Sequence, residues 1–340
     1  MKNIPKLLFS VLITALVIVS WGKAETGSSL RQVIEVDSSL VVVDVKVLNR
    51  KDQKPIPDLK HEDFLVYEDG VLQKIVSFSK DVLPMSIVLL VDTTWSLHPV
   101  LNRLSESAQK ILYGLKPQDE VAVIAFAGTA LLVQSFTLER EVVAREIEHI
   151  TKNRIEVERT IGTSAQLNEG VYQAVQYASK EAKSGNRKII VVLNDGLANI
   201  CRPNSHTEKE TLAAIFESGI SIYGVEVRSL RSNLFGFINK VHPAMIALSR
   251  LHPPGSVAKY ATQTGGAVVK SSDANADLRM ADLILGLREC YTLSYSPSNS
   301  KLDGKFRSIK VIMGPDARKR NGNTPIILSR RGYYAVPHKM

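Results

Sequence analysis

The apolar positions change rhythm twice along the chain. From Val36 to Val47 apolar and polar residues alternate (VDSSLVVVDVKV). A polar turn from Asn49 to Pro57 follows, then DFLVYEDG and QKIVSFS, with a turn at Glu68-Asp69-Gly70. Period-two alternation rich in β-branched residues predicts half-buried strands. From Met85 the pattern changes: EVAVIAFAG (120–128) and ISIYGVEV (220–227) read as strands, and SIVLLVD and KIIVVLNDG (188–196) carry short, continuous apolar runs that end in polar residues. Such runs predict strands buried on both faces. Helical patterns lie between them, over Pro99–Leu115, 138–150, 165–183, Thr207–Ser218 and Ala274–Glu289, with a further one near 241–250. ALLVQSF reads as a short edge strand and AVVKSS as another strand, entered from a helix stop at Gly265-Gly266. After residue 290 strands return in CYTLSYSP, FRSIKVIM and RRGYYAV.

Strands alternating with helices imply right-handed crossovers and a mostly parallel sheet covered on both faces, a doubly wound α/β domain. The β-rich ends are each too short to be stable alone. The expectation is therefore that residues 35–83 and 290–336 pack together as a small β-sandwich, with the α/β domain, residues 84–289, inserted between them. An apolar content of 44% supports a core of that size.

The first 24 residues stand apart from this fold. Lys2 and Lys6 precede an apolar run from Leu7 to Trp21, and Gly22-Lys23-Ala24 offers small residues where a signal peptidase reads. A run of that length is short for a membrane span of about 20 residues. Residues 1–24 are thus expected to be a signal peptide and the chain to be exported, periplasmic or secreted, with no membrane span in the mature protein. Losing Lys2, Lys6 and Lys23 lowers the net charge from +9 to +6. The basic residues are scattered and lack interleaved aromatics, which argues against nucleic acid as a partner. Cys201 and Cys290, the only two cysteines, do not make a disulfide framework. They are expected to stay unpaired, because one follows a strand and the other a helix, at opposite ends of the sheet.

In open α/β sheets ligands bind at the carboxyl ends of strands where the topology switches. Asp92-Thr93-Thr94-Trp95-Ser96 leaves the first buried strand there, Asp195-Gly196 leaves another, and Gly162-Thr163-Ser164 opens a helix between them. Two carboxylates and several hydroxyls on three loops form a hard, all-oxygen donor set suited to Mg²⁺ or Mn²⁺.

At this point the sequence resembles a known family. VDTTWS is similar to the D-x-S-x-S signature of von Willebrand factor A domains, whose metal-ion-dependent adhesion site adds a Thr and an Asp from later loops. The flanks DFLVYEDGVLQKIVSFS, TQTGG and YTLSYSPSN…DGKFRSIKV…RRGYYA resemble bacterial VWFA-related proteins, chiefly acidobacterial ones, over about residues 35–336. The resemblance implies a metal held by Asp92, Thr94, Ser96, Thr163 and Asp195. It also implies a protein partner supplying an acidic side chain, and recognition without turnover. The chain departs from the pattern at Thr94, where Ser is usual, and at Trp95, where a small residue is common. An ungapped match of LNEGVYQA also puts Ala165 at the position of the ligand Thr.

Two other classes compete. Asp92 after a buried strand is also compatible with the nucleophile loop of haloacid-dehalogenase-like phosphoryl-transfer enzymes. That chemistry needs a lysine clamp and a further acidic pair, and Lys188 sits at the wrong end of its strand while Asp195 has no acid beside it in sequence. The other class is a metal-free scaffold with a vestigial site. No G-x-S-x-G, H-E-x-x-H or P-loop occurs. The histidines His61, His98, His206, His242 and His252 are dispersed and read as solvated loop residues. Segment 228–255, with Arg228, Arg231, Lys240 and Arg250, reads as an ordinary covered insertion.

Overall fold

Alternating burial makes the first strands one-sided. In the computed structural model β1 (Val41–Leu48) buries Val41, Val43, Val45 and Val47 and turns the residues between them outward. It is followed by β2 (Phe64–Glu68), β3 (Val71–Gln73) and β4 (Ile75–Lys80). The structure describes residues 40–80, 83–196, 202, 204–228, 254–321 and 325–336. The predicted leader, the helix near 241–250, the basic residues Arg231, Lys240 and Arg250, Cys201, His242 and His252 lie outside the described residues.

The continuous apolar runs become the centre of a six-stranded sheet. Its first strand, β5 (Met85–Asp92), is buried along its whole length. It feeds α1 (His98–Leu112), which begins with Pro99 in its first turn, where the missing N–H costs nothing. Then come β6 (Glu120–Phe126), the edge strand β7 (Ala130–Thr137), α2 (Arg140–Lys152), α3 (Arg154–Ile161) and α4 (Leu167–Glu181). After β8 (Arg187–Asn194) follow α5 (Glu208–Ser218), β9 (Ser221–Arg228), α6 (Val257–Thr264), β10 (Val268–Ser272) and α7 (Ala276–Gly286). Thr207 caps α5 through a reciprocal bond with Glu210.

The strand order is β10-β9-β8-β5-β6-β7, all parallel except β7, which runs antiparallel to β6. From β5 the chain steps to one side through β6 and β7, then returns to the other side at β8. The switch point therefore lies between β5 and β8. Side chains of α1, α2, α3 and α7 share one core with Leu89, Val91 and Leu193; those of α4, α5 and α6 share the other with Leu90, Phe126 and Val192.

Five further elements follow: β11 (Tyr291–Tyr295), β12 (Phe306–Met313), the short α8 (Pro315–Arg320), β13 (Ile326–Ser329) and β14 (Gly332–Tyr334). They interleave with the N-terminal strands in two antiparallel sheets, β13-β1-β11-β4 and β14-β12-β2-β3. Val43 pairs with Leu293 and Val66 with Val311. All four, with Phe64, Tyr291 and Met313, pack in one core, so each sheet is built from both ends of the chain. The expected sandwich is present. The pattern reading missed α3, α8 and β13, each eight residues or fewer and too short to show a period.

Sandwich and body share a buried polar joint. Arg187, at the foot of β8, donates to Asp44 Oδ2 on β1 at 2.6 Å and to the Leu287 carbonyl at 2.6 Å. Asp44 Oδ1 accepts from Thr292 at 2.9 Å. Gly265, with φ +79°, lets β13 come close: a Cβ there would lie 2.5 Å from the Ser329 carbonyl carbon. The described residues fall in one compact unit. Removing one partner of a buried ion pair leaves the other charge uncompensated, at a cost of about 3–5 kcal/mol. Asp44→Ala is expected to lower unfolding free energy by about 3 kcal/mol on that basis. Urea denaturation followed by circular dichroism would show it, and a loss under 1 kcal/mol would mean that Arg187 does not bind the sandwich to the body.

Candidate metal centre at the carboxyl end of the sheet

β5 ends in Asp92 with its carboxylate already out of water, 1% exposed. The chain cannot continue straight, because Thr93 donates from its amide to the Phe126 carbonyl of β6 at 3.1 Å and turns the loop over the sheet. Thr94 then folds back on Asp92: its amide and its hydroxyl both donate to Asp92 Oδ1, at 2.9 and 2.7 Å. A single 3-10 turn, Trp95–Leu97, brings Ser96 round and buries Leu97 as an anchor. Ser96 donates to Asp195 Oδ2 at 2.7 Å, and its Oγ lies 3.4 Å from that of Thr94. Four of the five residues named from sequence thus form one hydrogen-bonded group, each at most 6% exposed.

Thr163 does not join them. It is exposed, while Ala165 is buried at 5%. The loop that carries both is held against the end of β6: Thr129 donates to the Ile161 carbonyl at 3.1 Å and Gln166 to the Ala127 carbonyl at 2.7 Å. A Cβ on Gly128 would stand 2.6 Å from the Ile161 oxygen. The loop is therefore seated on backbone, with a methyl group inward at 165 and the Thr163 hydroxyl outward. Trp95 does not crowd the site; it turns out to solvent with 42% of its surface exposed.

The electrostatics follow from burial. Desolvation first, and the Asp195 carboxylate second, push Asp92 up from its ordinary value to about 7, against the two bonds from Thr94. Glu226, at the end of β9, comes to 3.5 Å from where a Cβ on Gly196 would lie. Asp195 therefore does have an acid near its loop, which the linear sequence hid. Asn194, the residue before Asp195, is 4% exposed and its Oδ1 has no hydrogen-bond partner. Among the described residues no group of three or more His, Cys, Asp or Glu has metal-binding proximity. The donor set is instead two carboxylates and two hydroxyls, hard oxygens that fit Mg²⁺ or Mn²⁺ rather than a thiophilic ion.

Two further features were not read from sequence. His98, at the start of α1, pairs with Glu158 of α3 at 3.0 Å. His206 stacks on Tyr172 and bonds Glu169 at 2.7 Å. Both are partly buried and partnered, not solvated loop residues; only the fold reveals their acids, 60 and 37 residues away. His61 remains exposed, as expected. For the phosphoryl-transfer alternative, Lys188 reaches the Ser179 carbonyl at the other end of β8. At about 3.3 Å per residue that end is about 20 Å from Asp92.

A carboxyl group whose folded pKa is raised keeps its proton where the unfolded chain has lost it. Asp92 ionises near 4 when unfolded, so in chelator its contribution to stability falls as pH rises from about 4 to 7. Asp92→Asn has no proton to lose. The stability of this variant minus that of the wild type is expected to be greater at pH 8 than at pH 5 in urea titrations with EDTA. An equal difference at both pH values would contradict the raised pKa.

No curated protein matches the chain. Among solved structures, the conserved hypothetical protein BatB from Bacteroides thetaiotaomicron is 17% identical, with 59% of this chain and 97% of that chain covered and a TM-score of 0.40. The vWF domain of the type V pili tip protein Mfa5 from Porphyromonas gingivalis is 11% identical, covering 60% and 95%, with a TM-score of 0.38. Proximal thread matrix protein 1 from the mussel byssus, with a zinc-occupied MIDAS motif, is 15% identical over 65% of this chain, which spans about half (49%) of that one; the TM-score is 0.41. Residues 87–197 match the sequence model of the von Willebrand factor type A domain, a span that runs from β5 past Asp195 and contains all five residues named as donors. The likeness to the von Willebrand factor type A domain thus belongs to residues 87–197 of this chain.

Proposed function

We propose that the chain is an exported, non-catalytic binding module that recognises a protein partner through a divalent cation at the carboxyl end of its sheet. The observation that carries the reading is the buried, hydrogen-bonded convergence of Asp92, Thr94, Ser96 and Asp195. These four would hold the cation, Mg²⁺ or Mn²⁺; Thr163 would reach it only if its loop rearranged. The bound ion would offset the repulsion between two desolvated carboxylates and present an electrophilic position to an acidic side chain of the partner. Trp95, exposed between two donors, would border that contact, and a rigid aromatic at such a place is a common anchor of interfaces. Export rests on the leader of residues 1–24. No described helix is long and apolar enough to cross a membrane.

A ligand that binds only the folded state stabilises it by about 2.7 kcal/mol at 100 times its Kd. For a domain of this size that is several degrees of melting temperature, at about 2–4 °C per kcal/mol. Millimolar Mg²⁺ or Mn²⁺ is expected to produce such a rise in the wild type and none in Asp92→Ala. An unchanged melt in both would leave a scaffold with a vestigial site.

Trp95 is the only tryptophan besides Trp21 of the leader. Its fluorescence is therefore expected to change on metal addition and again on titration with an acidic peptide. Trp95→Ala should keep the metal-induced rise in melting temperature and weaken partner capture from an envelope extract at least tenfold. Undiminished capture would remove Trp95 from the contact.

A further inference from the structure

The site is one donor short at Ala165, and a buried oxygen on the strand next to Asp92 has no hydrogen-bond partner. We propose that the amide oxygen of Asn194 is a further ligand of the cation, standing in for the hydroxyl that Ala165 lacks; this rests on the metal-binding reading above. β5 and β8 are neighbouring parallel strands in the register Val91 with Leu193. Asp92 and Asn194 are the next residues of each, side by side across a spacing of about 4.8 Å. Two positions earlier, Leu90 and Val192 share the core that packs against α4. Strand alternation therefore puts Asp92 and Asn194 on that same face. Ala165, just before α4, packs in the same core. A carboxylate, an amide and a methyl group thus lie on one face of the sheet, toward its carboxyl end.

Asn194 is costly where it stands. It is 4% exposed, and Oδ1 accepts no hydrogen bond. Buried polar atoms are nearly always satisfied, and one that is not invites a missing partner. Amide oxygens are ordinary ligands of hard divalent cations. An apolar residue would close the strand into the core at less cost, as Val192 does two positions before. Asn194 is thus a binding group kept at the expense of the metal-free fold.

The test uses the full chain, with Mn²⁺ and Mg²⁺ titrations by calorimetry and melting curves in EDTA. Asn194→Leu, of similar volume, is expected to melt at or above the wild type in EDTA while binding Mn²⁺ at least tenfold more weakly. Asn194→Asp keeps an oxygen at the same reach, and should retain binding and melt lower in EDTA. Adding Ala165→Thr to Asn194→Leu should restore affinity. If Asn194→Leu binds within twofold of the wild type while Asp92→Ala does not bind, Asn194 is no ligand and the metal reading stands. If Asn194→Leu does not fold, loss of binding in Asn194→Asp overturns the inference equally. A wild type that binds neither ion overturns the metal reading and the inference with it.

Discussion

The carboxyl end of the six-stranded sheet is organised around a carboxylate that the sheet itself has taken out of water. β5 is flanked by strands on both sides and covered by helices on both faces, so its last residue, Asp92, cannot reach bulk solvent. The loop after it has to supply the missing polarity. Thr94 does so with two hydrogen bonds to one oxygen, and Ser96 extends the chain of bonds to Asp195 across the switch point. Even so, burial and the second carboxylate hold Asp92 near neutrality in its proton affinity. The site is a place where negative charge is wanted only when something positive is present.

The opposite end of the sheet solves the reverse problem. Arg187 enters β8 with its guanidinium buried, and the sandwich supplies its counter-charge through Asp44. Asp119, fully buried, plays the matching part for Arg288 at the junction of α7 and β11. Together with Met85, whose amide donates to Asp119 at 2.9 Å, these pairs close the amino end of the sheet. The carboxyl end carries the unsatisfied Asn194 oxygen and the paired acids. Such a division suits the proposed reading, in which the domain is clamped at one end and would receive a ligand at the other.

Much of this was legible in the chain. Continuous apolar runs ending at Val91 and Leu193 gave parallel strands, and period-two alternation gave the sandwich. The D-x-T-x-S spacing gave three of the four converging donors, because a single tight loop fixes their relation locally. Long-range relations were not legible. The pairing of Asp44 with Arg187 spans 143 residues and that of His98 with Glu158 spans 60. Neither leaves a periodic trace. Asn194 was hidden differently: within KIIVVLNDG it reads as the end of a strand, and only the register of β8 against β5 sets it beside Asp92.

Thr163 shows why a signature is weaker than a scaffold. Its residue type suits a ligand, but position 165, two residues later, is the one that faces the core, and backbone contacts between Ala127, Thr129, Ile161 and Gln166 fix that choice. Moving Thr163 inward would break at least these two bonds and press the loop on Gly128, where there is no room even for a Cβ. The scaffold thus decides which oxygens are available, and it leaves the inward position to a methyl group. If the site binds a cation as proposed, keeping the first loop and the third-loop aspartate without the middle hydroxyl would mean weaker binding or recruitment of another oxygen. Since the first loop is held in place by hydrogen bonds that exist without metal, on the proposed metal-binding reading the missing hydroxyl would alter the strength of binding rather than the shape of the face.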